Sequence, residues 1–558
     1  MAHADSARAS WTRANWLGYL RPHPGSETPA ALRLVIAAVT GAALSLSFTG
    51  LYLAIYSWVC IGVLMVVVFG ARPSIAFACG FVHALCFVLT SVPWIATVLS
   101  AHGGLSRAGG WGVLLLIAAA WGILIGAFTW SVNRLSRRSI ELACVGAPFI
   151  WVTFEFVRAH LPEISFPWNL LGYPASANLG LAQVTSVTGI YGLSFLVVAF
   201  NAVLAWADAA SEPRPRKRVA ILAAAAALLL LVTLVGPRLV PSPVPNHTAR
   251  AVQTNFPEVQ ADQGNWFQAH IRDLQEIGRL SLRPSPGREK PDLLIWPEAP
   301  APFSFQETQF AKLASALATD FHGPFIAGTI EWRLPADSST NGAAPKKPVA
   351  YNSALLFDSQ GQREFVYDKT HLVPFGEYEP FPLIHRVVTS VSDDVGGFRK
   401  GAPTYAVGKL PSGQAFGVFI CYEAIYPGEV RQFVANGADL LVNISNDGWF
   451  GRSAAPEQHL RMARVRAVEN RRWLIRVTNN GLTASVDPYG RIFQLIPPDV
   501  RASADLPYDF RADMTLYARF GDWFAWLCVM VSVILVGSTF RKGTIVRNEQ
   551  PVGLAVPA

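Results

Sequence analysis

Long apolar runs fill most of the first 240 residues, and one more lies close to the end of the chain. A helix needs roughly 20 apolar residues to cross a bilayer. Runs near that length lie at 32–50, 51–70, 75–99, 111–132, 140–157, 181–206, 219–236 and 522–540. The pattern predicts a multi-spanning α-helical membrane domain of about eight helices. Seven of them belong to residues 31–236, and the last is 522–540.

Basic residues between these runs predict an orientation. One set of alternate loops is rich in Arg and Lys, whereas the opposite loops hold little more than Arg107 and Arg158. The rich set comprises Arg72, Arg134, Arg137, Arg138, Arg214, Arg216, Lys217 and Arg218. Short cytoplasmic loops carry the excess of positive charge. We therefore expect cytoplasmic tails at 1–30 and 541–558, and residues 237–521 on the outer side.

The segment 237–521 has the pattern of a separate α/β domain. Short β-like runs end in polar clusters, and helix-like stretches alternate with them. The runs are 293–295, 325–327, 416–420, 440–444 and 474–477, and the helix-like stretches lie near 267–283, 306–321, 424–436 and 456–472. We expect loops at 334–350 and 393–404.

Composition supports a membrane protein and argues against a nucleic-acid partner. Of the 558 residues, 51% are hydrophobic and only 15% are charged, whereas soluble domains average about 25% charged residues. The net charge of +8 resides largely in the basic loops described above. The charge is therefore explained by membrane orientation, and no nucleic-acid-binding motif accompanies it.

Of six cysteines, only Cys421 falls in the long polar segment. Five lie in apolar runs, where Cys behaves as a small hydrophobic residue. Cys421 has no partner there for a disulfide, so its thiol is a candidate for chemistry.

Two further residues join Cys421 as candidates, because each follows an extended run. Glu298 follows Leu293-Leu294-Ile295-Trp296-Pro297, and Lys369 follows Tyr367-Asp368. Reactive groups gather at the carboxyl ends of strands in open α/β sheets. A carboxylate base and an ammonium ion suffice to activate a thiol and to stabilise an oxyanion.

Each candidate also has an ordinary structural interpretation. A Cys after four apolar residues commonly fills a core, and Tyr-Asp-Lys is common on surfaces. His371 and His459 are isolated, and no group of residues has metal-ligand spacing. We therefore expect no metal and no cofactor.

Taken together, the motifs resemble the nitrilase superfamily of carbon–nitrogen hydrolases. The resemblance rests on Trp296-Pro297-Glu298, Tyr367-Asp368-Lys369, Pro374-Phe375-Gly376-Glu377, Ile420-Cys421-Tyr422-Glu423, and the stretches 443–451, 459–469 and 478–481. Within that superfamily, the eight-span frame is similar to the apolipoprotein N-acyltransferase family. That similarity extends to Phe166-Pro167-Trp168-Asn169, Gly189-Ile190-Tyr191-Gly192 and 517–523.

The resemblance implies a four-layered α-β-β-α sandwich and a role for each matched residue. Glu298 would be the general base, Cys421 the nucleophile and Lys369 the oxyanion stabiliser. Supporting roles would fall to Glu377, which would position the lysine, and to Tyr422 and Glu423, which would shape the site beside the thiol. Substrate binding would involve Trp168, Trp266, Trp449 and Phe450.

The resemblance also implies the reaction and its partners. A ping-pong mechanism would move the sn-1 acyl chain of a phospholipid, usually phosphatidylethanolamine, to a Cys421 thioester. The acceptor would be the free amine of the S-diacylglyceryl-cysteine of an apolipoprotein. We expect a monomer in the bacterial inner membrane, with the catalytic domain in the periplasm.

Two other functions remain open on the residues alone. One is a membrane-tethered amidase or nitrilase-type hydrolase, although polar substrates need no more than a single anchor helix. The other is a transporter or scaffold that carries an inactive α/β domain. The intact set of Glu298, Lys369 and Cys421 argues against the second.

Overall fold

The computed structural model describes most of the chain. The described residues are 28–49, 53–161, 165–211, 214–256, 270–285, 289–298, 308–334, 348–374, 376–378 and 397–540. Both tails, Trp266, most of the expected loop at 334–350 and the start of the loop at 393–404 lie outside them.

The apolar runs of the first 240 residues form helices. Their bounds are α1 Ala30–Ser45, α2 Cys60–Val68, α3 Pro73–Ser91, α4 Trp94–Ala101, α5 Arg107–Ser136, α6 Ile140–Ala159, α7 Gly172–Ser176, α8 Leu179–Ala182, α9 Thr185–Thr188, α10 Ile190–Ala209 and α11 Pro215–Leu239. Two 3₁₀ turns, Leu46–Phe48 and Ala54–Trp58, connect α1 to α2.

Among the described residues, six helical segments are long and apolar enough to span a membrane. They are Ala30–Phe48, Pro73–Ser91, Arg107–Ser136, Ile140–Ala159, Ile190–Ala209 and Pro215–Leu239. Two shorter apolar segments, Ala54–Val68 and Trp523–Ser538, correspond to the remaining predicted runs. The expectation of a multi-pass helical membrane domain is therefore confirmed.

Two of the predicted runs differ from the helices that form. The run 75–99 divides into α3 and α4, because Pro93 lacks an N–H and disfavours a helical conformation at Val92. The run 181–206 contributes a long helix only from Ile190. Gly189 precedes that helix with φ +66°, a left-handed conformation that glycine adopts without strain, and it separates α10 from the short helix α9.

Within the described residues, the polar segment contributes twelve strands and four helices that pack with them. The strands are β1 His247–Gln253, β2 Leu293–Ile295, β3 Phe325–Arg333, β4 Val349–Phe357, β5 Arg363–Asp368, β6 Gly408–Lys409, β7 Ala415–Ile420, β8 Leu440–Ser445, β9 Trp473–Thr478, β10 Thr483–Val486, β11 Ile492–Ile496 and β12 Ala502–Tyr508. The helices are α12 Ile271–Leu282, α13 Thr308–Phe321, α14 Pro427–Ala435 and α15 Ala455–Asn470, followed by α16 Leu516–Phe520 and the membrane helix α17 Trp523–Ser538.

The strands form two six-stranded mixed sheets with the orders β12-β1-β2-β3-β4-β5 and β11-β10-β9-β8-β7-β6. In each sheet three neighbouring strands run parallel, β1-β2-β3 in the first and β7-β8-β9 in the second. The strands around them are antiparallel. The two sheets are thus built alike, and each has one edge where the parallel strands end.

Each sheet has a helical layer on one side. Leu274 and Ile277 of α12, with Phe310 and Leu317 of α13, pack in one apolar cluster with the first sheet. On the second sheet, α14 lies so close that a Cβ at Gly417 would come within 2.5 Å of Phe433. Apolar residues of both sheets share a second cluster. The layers are therefore α-β-β-α, as expected.

Candidate active site

Cys421 is the first residue after β7 and has an unusual backbone conformation. Its φ is +49°, in the left-handed region that costs a non-glycine residue of order 1–3 kcal/mol. The chain turns there into the 3₁₀ segment Cys421–Ile425. The thiol is therefore carried on a tight strand-to-helix turn, where it is buried and only 6% exposed.

The first sheet supplies a buried cluster of opposite charges. Lys369 follows β5, and its Nζ lies 3.1 Å from Glu298 Oε1 and 3.0 Å from Glu377 Oε1. Asn352 of β4 donates through Nδ2 to the same two oxygens, at 2.7 and 2.8 Å. The carboxylates are therefore held together by one ammonium and one amide.

The second sheet also fixes this cluster. The backbone N–H of Asn446, directly after β8, donates to Glu298 Oε2 over 2.7 Å. Within the first sheet, the backbone N–H of Lys369 donates to Asn352 O over 2.8 Å. Glu298 thus bridges the two sheets and is itself buried.

The electrostatics define the resting protonation of the lysine and the thiol. Burial alone would lower the pKa of Lys369, but Glu298 and Glu377 raise it well above its usual value. Burial and the nearby Glu298 raise the pKa of Cys421 well above its usual value, while Lys369 and a hydrogen bond with Ser445 oppose that rise. The site therefore holds an ammonium ion and a neutral thiol, and the thiol needs a base to react.

Glu423 connects the nucleophile turn to the lysine strand. Its Oε2 accepts from the N–H of Ile420 over 2.6 Å. Its Oε1 accepts from the N–H of Thr370 over 2.7 Å and from the hydroxyl of Tyr367 over 2.8 Å. Burial and Glu429 raise the pKa of this carboxyl group. One side chain therefore links the residue before Cys421 to the residue after Lys369.

A second buried group, formed by His459, Asp447 and Arg476, contacts the carbonyl oxygen of Cys421. His459 Nε2 is 3.0 Å from the carbonyl oxygen of Cys421, and its Nδ1 is 3.1 Å from Asp447 Oδ1. Arg476 pairs with Asp447 through Nη2 at 2.9 and 2.7 Å. Burial alone would raise the pKa of Asp447, but Arg476 holds it well below its usual range.

The aromatic residues predicted to bind substrate differ in exposure. Trp449 is 40% exposed, whereas Trp168 is fully buried. Phe450 packs against Trp168 with their ring centroids 5.9 Å apart. Tyr422 is buried, and its ring lies 6.3 Å from that of Phe166. Trp168 is therefore part of the packed interface between the membrane helices and the catalytic domain. Trp449 is more accessible to a substrate than Trp168.

One site brings together predicted residues from separate parts of the sequence: Glu298, Lys369, Glu377, Cys421, Tyr422 and Glu423. Sequence reasoning gave no role to Asn352, which lies inside a strand without a distinguishing motif. It also treated Asp447 only as part of a longer matched stretch. No sequence signal joins Asp447 to Arg476, because the two lie on different elements.

The site combines a buried thiol on a strand-to-helix turn with a lysine and a glutamate from the other sheet, both close enough to shift the pKa of the thiol. The class of protein that has such a site is the carbon-nitrogen hydrolases, and residues 248–504 match the carbon-nitrogen hydrolase family. A solved nitrilase-superfamily structure from Saccharomyces cerevisiae, Nit3, shares 18% identity, with a TM-score of 0.33, over 48% of this chain and 93% of its own.

The membrane half narrows the class to one family. Residues 40–203 match the apolipoprotein N-acyltransferase N-terminal domain. An apolipoprotein N-acyltransferase of Geobacter metallireducens is 32% identical over 517 residues, covering 92% of this chain and 96% of its own. One of Rhodopseudomonas palustris is 33% identical over 447 residues, covering 77% of this chain and 80% of its own. The chain belongs to the apolipoprotein N-acyltransferase family, and it is an acyltransferase.

Proposed function

We propose that this enzyme moves the sn-1 acyl chain of a phospholipid, phosphatidylethanolamine above all, to the amine of an apolipoprotein's S-diacylglyceryl-cysteine. The observation that carries the proposal is the position of the Lys369 ammonium between Glu298 and Glu377, beside a buried neutral thiol. Extracting a long acyl chain into water costs about 0.8 kcal/mol per CH₂. A site attached to membrane helices avoids that cost for both substrates.

In the loading step, Glu298 accepts the Cys421 proton while the sulfur attacks the ester carbonyl carbon. Lys369 stabilises the resulting oxyanion. Collapse of the tetrahedral intermediate breaks the ester C–O bond, and Glu298 returns the proton to the departing oxygen. The products are a lysophospholipid and a thioester on Cys421.

In the transfer step, the free amine of the acceptor attacks the thioester carbonyl. An α-amino group has a pKa of about 7.7–8.0, so a neutral fraction is present near neutral pH. Glu298 accepts a proton from the amine and passes it to the departing sulfur, which completes the amide and restores the thiol. Water must be excluded from the thioester, because hydrolysis would release a free fatty acid.

The supporting residues are assigned by their contacts. Glu377 positions the lysine, since it bonds to the ammonium and to the N–H of Val373. Tyr422 and Glu423 shape the turn beside the thiol. We propose that Trp449, Phe450, Trp168 and Trp266 contribute to substrate binding, with Trp168 acting from beneath Phe450.

We further propose that 31–236 and 522–540 form the membrane part of a monomer in the bacterial inner membrane, with 237–521 in the periplasm. The support is the distribution of Arg and Lys between alternate loops. A reporter active only in the periplasm should work when fused near residue 340 and fail at 136 or 550. Activity of the fusions at 136 and 550, with none near 340, would reverse the orientation.

The test of the function uses the purified full-length chain in mixed micelles with phosphatidylethanolamine and a diacylglyceryl-peptide. We expect mass spectrometry to show the peptide gaining one acyl chain as an amide, with an equal amount of lysophospholipid. Release of free fatty acid with no change in the peptide would instead identify a hydrolase. In cells, loss of the protein should leave lipoprotein N-termini diacylated.

A further inference from the structure

The backbone of Cys421 needs support, because its left-handed φ of +49° is unfavourable for a residue with a Cβ. Such a conformation persists only where the surrounding structure determines it. Glu423 holds the residue before Cys421 through the N–H of Ile420. The carbonyl group of Cys421 itself is held by a different side chain, His459.

The hydrogen bond from His459 has only one possible direction. A carbonyl oxygen accepts and never donates, so the proton must be on Nε2. Burial and the neighbouring Arg476 lower the pKa of His459, whereas Asp447 and the Cys421 carbonyl oppose that fall. The other ring nitrogen, Nδ1, lies 3.1 Å from Arg476 Nη2 and 3.1 Å from Asp447 Oδ1. The ring is therefore oriented from both ends.

The partners of the ring are themselves fixed. Arg476 forms its ion pair with Asp447 at 2.7 Å, where neither side chain is exposed, and it also bonds to Asn443 Oδ1. Asp447 accepts from the hydroxyl of Ser445 over 2.8 Å. Gly481 lies so close to Asp447 that a Cβ there would meet its carboxylate at 2.2 Å. The network leaves the imidazole little freedom to rotate.

The helix that carries His459 is anchored to the membrane half. Gln458, the preceding residue, donates to Phe48 O and Ser91 O at 2.9 and 3.0 Å and accepts from Trp168 Nε1 at 2.7 Å. At the far end of α15, Glu469 Oε1 accepts from the N–H of Ile190 over 2.9 Å. The position of His459 is therefore defined by the membrane helices as well as by the sheet.

We infer that His459 is a positioning residue for the reaction: its Nε2–H holds the Cys421 carbonyl and thereby keeps the thiol aligned with Glu298 and Lys369. It touches no reacting atom and transfers no proton. The inference rests on the proposed function only for the identity of the nucleophile. A displacement of about 1 Å at a reacting group can cost on the order of 10²-fold in rate.

The test compares His459→Leu with His459→Gln in the full-length chain. Leu removes the donor, whereas the Nε2–H of Gln can reach the same carbonyl. For His459→Leu we expect kcat to fall about 100-fold, with KM for phosphatidylethanolamine within about threefold of the parent. His459→Gln should recover most of the rate. His247→Leu, at the partly exposed start of β1, serves as the control.

A second measurement needs no lipid substrate. Iodoacetamide should alkylate Cys421 more slowly in His459→Leu than in the parent chain, and His459→Gln should restore the rate, as measured on the Cys421 peptide. The inference is overturned if His459→Leu matches the parent in both assays. It is also overturned if the Leu and Gln variants lose activity equally and in proportion to a fall in Tm. If the parent cannot acylate while the alkylation contrast persists, the proposed function fails and the positioning role stands.

Discussion

The two halves of the site are held in different ways. On the first sheet, Lys369, Glu298 and Glu377 hold one another through side-chain ion pairs. On the second sheet, Glu423 and His459 both bond to backbone groups beside or on Cys421. The first half therefore depends on the shape and charge of its side chains. The second half depends on the local backbone, and any side chain that supplies the same bonds should serve.

The largest effect is expected from Lys369→Arg, which tests the charge-dependent half. A planar guanidinium keeps the positive charge but does not replace a compact ammonium between two carboxylates. We expect a loss of about 10²–10³-fold in kcat, the range seen when an oxyanion donor is removed. Steady-state acylation kinetics measure it.

The matched control is Lys312→Arg on the exposed face of α13, which should behave like the parent chain. A Lys369→Arg variant with near-normal acylation would show that charge alone suffices in this half. The contrast between the halves would then disappear.

A smaller loss, about 100-fold in rate, is expected for Glu423→Gln. In either orientation the NH₂ of glutamine would face a backbone N–H, that of Ile420 or that of Thr370. One buried backbone donor therefore loses its acceptor. Leaving a buried donor unpaired costs about 1–3 kcal/mol, so Tm should fall together with the rate. Thermal unfolding and acylation assays on the same preparation measure both.

Glu364→Gln, at an exposed position of β5, is the control and should change neither quantity. An unchanged Tm with a lost rate would contradict the backbone role of Glu423. It would indicate that this carboxylate acts on the substrate.

The smallest effect is expected for Asn352→Ala, about tenfold in kcat. Asn352 bonds to both glutamates, but Lys369 still holds each of them. A hydrogen bond to a charged group contributes about 1.5–3 kcal/mol. Because the remaining ion pairs should keep most of the geometry, we expect the loss to lie at the low end of that range. Steady-state acylation kinetics measure the change in kcat. The control is Asn436→Ala, at an exposed position. A loss as large as that of Lys369→Arg would mean that the amide, and not the ammonium, organises the carboxylates.

The sequence supports the general plan of the molecule because membrane runs and strand ends follow strong physical rules. The apolar runs predict the membrane helices, and the polar residues after β2 and β7 predict Glu298 and Cys421 at one site. Lys369 is harder to place, since it follows an antiparallel strand. Its place after an extended run makes it a candidate, and its role as oxyanion stabiliser depends on the family resemblance.

Other features could not be read from the chain. Nothing in the sequence marks Cys421 for a left-handed φ, because that conformation arises from tertiary contacts. Asn352 lies within a strand, where an amide usually has no special role. His459 begins one of the stretches that resemble the family, but nothing in the sequence reveals its bond to the Cys421 carbonyl, because that contact joins two separate elements.

The central claim is that the acyl chain passes through Cys421, and trapping the intermediate tests it most directly. The purified full-length chain is incubated with phosphatidylethanolamine and no acceptor, and the masses of its peptides are measured by mass spectrometry. We predict one fatty-acyl mass on the Cys421 peptide, removed by neutral hydroxylamine and discharged by a diacylglyceryl-peptide. Cys528→Ala, a buried cysteine of α17, should load normally, and Cys421→Ser should load little. An adduct on another residue, or full transfer by Cys421→Ala, would contradict the account.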